Sequence, residues 1–140
     1  MSRSFRPVLP LVLLALVTGG CTSVSSRRVI DLSRFQRFFV ETRLNENHRL
    51  DEALVAALRL QGRVAECGPR TMMPPDTEVI VSYDARWTWD FRNYLIELNV
   101  AFHTVSPPKK LADARRYQPS LLPKPPEEVV RGLVDPLFRP

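Results

Sequence analysis

The alternation of apolar and polar positions is clearest between residues 77 and 104. Val79, Val81, Tyr83, Ala85, Trp87 and Trp89 alternate with Ile80, Ser82, Asp84, Arg86 and Thr88. A period of two over this length predicts a strand across 77–90 with one apolar face. Tyr94, Ile96, Leu98, Val100 and Phe102 alternate in the same way with Leu95, Glu97, Asn99, Ala101 and His103. The intervening Phe91-Arg92-Asn93 suits a tight turn, so the two runs predict a long antiparallel hairpin. Because one face of each run is apolar, one side of the sheet is expected to be covered.

Two segments have helical spacing instead. Leu50, Leu54, Ala57, Leu58 and Gln61, with Ala53 beside them, fall on neighbouring faces of a helix over 50–61. Asn47 lies just upstream as a turn or cap residue, Asp51 and Glu52 suit the positive end of the helix dipole, and Gly62 is placed to end it in the left-handed conformation. Near the C-terminus Pro125 suits a helix start, and Val129, Val130, Leu133, Val134 and Leu137 follow at helical spacing. Gly132 and Pro136 weaken this second helix, and Pro136 is a candidate kink.

The remaining segments complete one layer pair. Residues 29–41 are β-branched and aromatic with interleaved charges and predict a first strand, bent or bulged near Ser33. Residues 63–67 predict a short strand and 68–76 a loop. A more polar last strand over 111–120 places Ala112, Ala114 and Arg116 on one face, with Arg115 facing water at a sheet edge. The order predicts an α+β fold: a mostly antiparallel sheet of four to five strands with two helices packed on one face, in a single domain over 29–140.

The N-terminal pattern is of another kind. Arg3 and Arg6 precede the almost wholly apolar residues 8–17, and the small residues Thr18, Gly19 and Gly20 lead to Cys21. A basic start, a short apolar run and a small-residue zone make a secretory signal. The run is too short for a transmembrane helix, which needs about twenty apolar residues. Small residues before a cysteine at the end of such a run resemble the lipobox of bacterial lipoproteins, although Thr18 stands where that box usually has Leu. The resemblance implies a signal peptide over 1–20, cleavage before Cys21 and lipid on the Cys21 thiol. One acyl chain anchors only marginally, whereas the two or three chains of such lipoproteins anchor stably. Thr22 occupies the position where Asp usually signals inner-membrane retention, so the resemblance favours the outer membrane. Residues 21–28 (Cys-Thr-Ser-Val-Ser-Ser-Arg-Arg) are expected to form a lipidated tether. Its Arg27 and Arg28 are either solvated or in contact with lipid head groups.

Charge and chemistry narrow the function. The formal net charge is +5. Loss of Arg3 and Arg6 would leave 18 basic against 15 acidic residues, +3, too mild to imply a nucleic-acid partner. Beside Cys21 only Cys67 remains. It has no internal disulfide partner and is expected to be buried as a small apolar residue. His48 and His103 are far apart, with no Cys or His at ligand spacing, so neither a metal nor a cofactor is expected. No Gly-x-Ser-x-Gly, phosphate-binding or dinucleotide fingerprint occurs. Asp84 and Asp90 would lie roughly 20 Å apart on an extended strand, too far for paired-carboxylate glycoside chemistry. No catalytic residue is expected.

Residues 47–62, Cys67-Gly68-Pro69 and the run Tyr83-Asp84-Ala85-Arg86-Trp87-Thr88-Trp89-Asp90 resemble uncharacterised lipoprotein families with a β-α-β-β-β-α core and a Trp-rich central strand. The order of elements also resembles the periplasmic domains of the curli-secretion lipoprotein and of the lipoproteins that activate penicillin-binding proteins. The resemblance spans 29–138 and implies a role in binding or assembling other envelope proteins. Trp87 and Trp89 either pack under a helix or stack on a ligand, and with Tyr94 they would form an aromatic pocket. Met72 and Met73 either make an adaptable contact surface or plug the core. The expected function is a membrane-anchored, non-catalytic envelope module with a protein partner. The alternative is a glycan- or lipid-binding accessory protein that uses Trp87 and Trp89.

Overall fold

The computed structural model describes residues 21–89, 91–119 and 122–140. The expected signal peptide lies outside the described residues, as does Asp90. The elements in chain order are β1 (Ser23–Arg28), β2 (Arg37–Glu41), α1 (Leu50–Leu60), β3 (Val64–Gly68), β4 (Val79–Trp89), β5 (Asn93–Thr104), β6 (Lys110–Tyr117) and α2 (Pro126–Phe138). Short 3-10 turns occur at Leu32–Arg34 and Arg70–Met72.

The fold is α+β, but the sheet departs from expectation. It has six strands in the order β1-β6-β5-β4-β2-β3, not four to five. It is also mixed: β1, β6, β5 and β4 pair antiparallel, whereas β2 is parallel to both β3 and β4. The parallel part follows from α1, which crosses over between β2 and β3 and so returns the chain in the same direction.

The extra strand is the expected tether. Ser23–Arg28 pairs residue for residue with β6, from Ser23 opposite Tyr117 to Arg28 opposite Ala112. All six of its residues are exposed, so it is held by its backbone ladder and carries no burial pattern. In consequence β6 is an interior strand and not the edge. The strand expected over 29–41 is only Arg37–Glu41. Before it, the Asp31 side chain accepts the Ser33 N–H at 3.0 Å and turns the chain so that Leu32 enters the core, fully buried.

Both helices lie against one face of the sheet and against each other, over one core. Leu50, Leu54 and Leu58 of α1 and Val130, Leu133, Val134 and Leu137 of α2 meet Phe38, Val40, Val79, Val81, Leu98, Val100 and Phe102. The Phe38 ring stands edge-on to Phe102 at 6.4 Å and beside Phe138 at 5.8 Å. α1 begins differently from the expected Asn47 cap. Arg49 occupies the cap position with φ 59°, and the Glu46 carboxylate accepts the N–H groups of His48 and Leu50 at 2.7 and 3.2 Å. Gly62 follows α1 at φ 74°, as its position predicts. α2 continues through Pro136 to Phe138.

Two bulges reset which residues face the core. Between β4 and β5, Arg86 pairs with Glu97 and Trp87 with Leu95, which leaves Ile96 as the extra residue. Leu95 and Leu98 are therefore both buried, and the single face expected for Tyr94, Ile96 and Leu98 does not form. A second bulge at Leu111 lets Leu111 and Ala112 both enter the core. Burying a leucine stabilises by about 1.5–3 kcal/mol, enough to fix such a local irregularity.

Candidate functional site

The candidate residues lie at one end of the sheet. A single row of paired residues crosses four strands: Ser23, Tyr117, Glu97 and Arg86. Past this row β4 and β5 continue as a projecting hairpin arm, β6 runs into the 118–125 link, and β1 is preceded by Thr22 and Cys21. β2 pairs with β4 only through Phe38, Phe39 and Val40, opposite Val79, Ile80 and Val81. From Ser82 to Trp89, β4 therefore runs on with β5 on one side and, among the described residues, no strand on the other.

The two tryptophans have different environments. Trp87 is half-buried and packs against the core. Its ring stacks on His48, with centroids 3.7 Å apart and planes 17° apart. His48 Nδ1 in turn lies 2.9 Å from Glu46 Oε1. The Trp87 Nε1 atom is buried without a hydrogen-bond partner. Trp89, two residues on, is 68% exposed and lies 6.1 Å from the ring of Phe91. Phe91 is 92% exposed and has φ 59°, a conformation that favours glycine and is uncommon for an aromatic residue. Beside Trp87 the arm and the proline-rich link flank a half-open cavity of about 220 Å³, lined by Tyr94, Arg92, Lys124 and Pro125 among others. Most small-molecule pockets are larger, at roughly 300–1,000 Å³.

A buried latch holds this end together. Gln118 Nε2 donates to the carbonyls of Leu95 and Lys124 at 2.7 and 3.3 Å, and its Oε1 accepts the Lys124 N–H at 3.2 Å. The Gln118 backbone N–H donates to Ile96 O at 2.9 Å. Hydrogen bonding thus continues from β6 onto the bulged part of β5, and the link is tied beside the arm.

Met72 and Met73 are not part of this cluster. They close the 3-10 turn after β3, with Met72 72% exposed. The Met72 Cβ would lie 3.9 Å from a Cβ on Gly68, beside the Phe39 ring, so it flanks the face of the sheet away from the helices. Cys67 packs at the margin of the core. Burial, together with Asp51 and Glu52 nearby, pushes its thiol pKa up.

The helix-free face carries charge. Arg43 Nη1 lies 3.1 Å from Asp84 and also donates to Tyr83 O at 3.1 Å. Glu97 binds Arg115 at 2.7 Å and Arg86 at 3.0 Å. The Arg115 and Asn99 hydrogen bonds hold the Glu97 carboxyl below its usual range. Tyr83 is buried and its phenol is pushed up to about 12. A shallow depression of about 390 Å³ on this face is lined by Ser25, Arg43, Asp84, Asn99, Asp113 and Arg115 among others. Among the described residues no three His, Cys, Asp or Glu side chains converge as metal ligands do. Sequence reasoning missed Phe91 and Leu122 at this end, and Leu44 farther back beside Ser82 and Tyr83, because apolar residues in turns and links carry no periodic signal.

No protein-family model matches this sequence, and no curated protein matches it. Solved structures do. A point-substituted PelC dodecamer from Paraburkholderia phytofirmans superposes with a TM-score of 0.62 at 13% identity, covering 84% of this chain and 95% of that one. The PelC dodecamer from the same organism in a second crystal form gives 0.58 at 14% identity, with the same coverage. A minor lipoprotein from Acinetobacter baumannii gives only 0.32 at 18% identity, over 74% of this chain and 86% of that one, a likeness too slight to support an argument. At these identities the first two show a shared fold and nothing more: over most of its length this chain has the fold of the PelC subunit.

Proposed function

We propose that this protein is a lipid-anchored component of the bacterial cell envelope that works without catalysis, by assembling with other copies of itself or with envelope partners. One observation carries the reading: the sheet is open on both sides. β1 is a fully exposed edge strand, and β4 leaves residues 82–89 without a neighbour strand on the opposite side. Unpaired backbone donors and acceptors template the addition of a further strand. Two different open edges on opposite sides of one molecule allow a head-to-tail contact, which generates a ring when the rotation closes. The fold likeness to a subunit that crystallised as a dodecamer supports the same reading. The sequence before Cys21 supports the anchor, and Thr22 favours the outer membrane.

Mass photometry of the detergent-extracted protein tests the assembly. Discrete particles at multiples of the subunit mass are expected. A monomer at micromolar concentration would refute self-assembly through the edges. Labelling cells with a clickable fatty acid, for wild type and Cys21→Ala, tests the anchor. Loss of label in the variant, and a wild type that pellets with outer membrane, is the expected result. An unlabelled, soluble wild type would overturn the anchor.

A further inference from the structure

We infer that the β4–β5 hairpin tip is a second membrane-contact site, which sets Trp89 and Phe91 into the same leaflet that holds the Cys21 acyl chains. The inference rests on the reading of Cys21 as the lipid attachment site. Its own evidence is the register of the sheet. Ser23 and Arg86 lie on one row of paired residues across β1, β6, β5 and β4. From that row the chain runs back two residues from Ser23 to Cys21, and forward three from Arg86 to Trp89. At about 3.3 Å per residue these extend roughly 7 and 10 Å beyond the row on the same side. Three strand spacings, about 14 Å, separate them laterally. A bilayer surface at Cys21 is therefore within reach of the tip, since interfacial elements bury their apolar parts roughly 5–10 Å deep.

The surface at this end has the composition of an interface. The three most exposed large apolar side chains among the described residues are Leu44, Leu122 and Phe91, at 94, 93 and 92%. Leu122 lies in the link that leaves β6 here, whereas Leu44, after β2, sits farther back beside Ser82 and Tyr83 and is not part of the tip. Trp89 adds a ring whose amphipathic character suits the head-group level. Arg92, exposed beside Phe91, suits anionic head groups. At the opposite end Leu60, in α1, and Val29, in the bend after β1, are less exposed, at 69 and 58%. Phe91 adds an independent sign. A left-handed aromatic residue held 92% in water, whose ring neighbour is the likewise exposed Trp89, carries backbone strain without burial in return, a combination that collects at functional sites.

The test uses tryptophan emission, because Trp87 and Trp89 are the two tryptophans of the chain. The full protein, purified from membranes, is reconstituted into phosphatidylethanolamine/phosphatidylglycerol vesicles with ordinary or dibrominated acyl chains. Intact mass reports acylation of Cys21, and flotation reports vesicle binding. Brominated chains should remove about half of the wild-type emission, the share of a lipid-immersed Trp89, and Trp89→Phe should abolish the quenching. An acylated protein that floats with the vesicles but keeps its full emission would overturn the inference and leave the anchor standing. An unquenched but blue-shifted Trp89 would place the tip against another protein copy, and would also overturn it. If Cys21 carries no acyl mass, the anchor reading fails. Quenching that persists then supports the tip by itself, and quenching that is absent overturns both.

Discussion

Gln118→Leu separates the latch from ordinary packing. Gln118 is 3% exposed and makes three side-chain hydrogen bonds, to Leu95 O, Lys124 O and Lys124 N. Leucine has a similar volume, so the substitution removes bonds and leaves no large cavity. Each bond contributes a net of about 1 kcal/mol, and a buried partner left unsatisfied adds about 1–3 kcal/mol. Leu95 is 1% exposed, which shields its carbonyl from water, whereas the Lys124 backbone is closer to the surface and can be rehydrated. The expected loss is therefore about 2–4 kcal/mol, a large share of the roughly 5–15 kcal/mol that holds a domain together. Urea unfolding of the detergent-solubilised protein, followed by circular dichroism, should show a lower midpoint with an unchanged slope. The melting temperature should fall by on the order of 10 °C. A loss below about 1 kcal/mol would refute the reasoning, because water would then have replaced the glutamine without cost.

Gly62→Ala should destabilise by about 1 kcal/mol from backbone strain alone, since nothing lies within 4 Å of the added methyl at φ 74°. Gly62→Asn, which tolerates this conformation better, should cost less, and equal losses in chemical denaturation would contradict the assignment. Tyr83 holds its phenolic proton up to about 12 because it is buried. Between the ordinary tyrosine value of about 10 and about 12 the folded chain therefore binds more protons than the unfolded one. Stability falls as pH rises through that window. Tyr83→Phe should flatten this decline in urea midpoints measured across the window, and an unchanged slope would sink the idea. The raised pKa of the Cys67 thiol predicts slow reaction with a thiol reagent near neutral pH. The reaction should accelerate on addition of denaturant, and equal rates with and without it would show an accessible thiolate.

The parts of the fold that bury an apolar face were legible as periodicity, and the parts that do not were not. Leu50, Leu54 and Leu58 mark α1, and Val79, Val81 and Tyr83 mark the start of β4, because each faces one core. Ser23–Arg28 buries neither face. Its pairing with β6 is a backbone matter on which six exposed side chains are silent, so it looked like a tether. The bulges hide for the opposite reason. At 94–96 every side chain is apolar enough to sit inside, so alternation continues smoothly in the letters while Ile96 inserts an extra residue and hands the core position to Leu95. The parallel pairing of β2 with β4 depends on how the 69–78 connection carries the chain from β3 past β2, and no local window contains that information.

The candidate site shows the same division at the scale of single residues. Trp87 and Trp89 share a parity and a strand, yet one stacks on His48 and the other faces water. Both tryptophans pair with β5, but only Trp87 is reached by the His48 ring and the margin of the core, which depends on where the chain before α1 passes and not on residue type. Cys21, Leu44, Phe91 and Leu122 are spread over a hundred residues of sequence, and a lone exposed leucine or phenylalanine in a loop is ordinary on a protein surface. Cys21 and the hairpin tip with Phe91 come to the same end only through the row that aligns Ser23 with Arg86, with Leu122 in the link beside them, whereas Leu44 stays farther back beside Ser82 and Tyr83. Isolated exposed apolar residues need no explanation, but a contiguous set at one end of a sheet does. The end at which they gather is the one where the chain reaches Cys21. A lipid anchor there would bring the hairpin tip against the bilayer without any further change of structure, and it would leave the exposed β1 edge and the unneighboured stretch of β4 pointing sideways, along the membrane plane, where the proposed assembly would form.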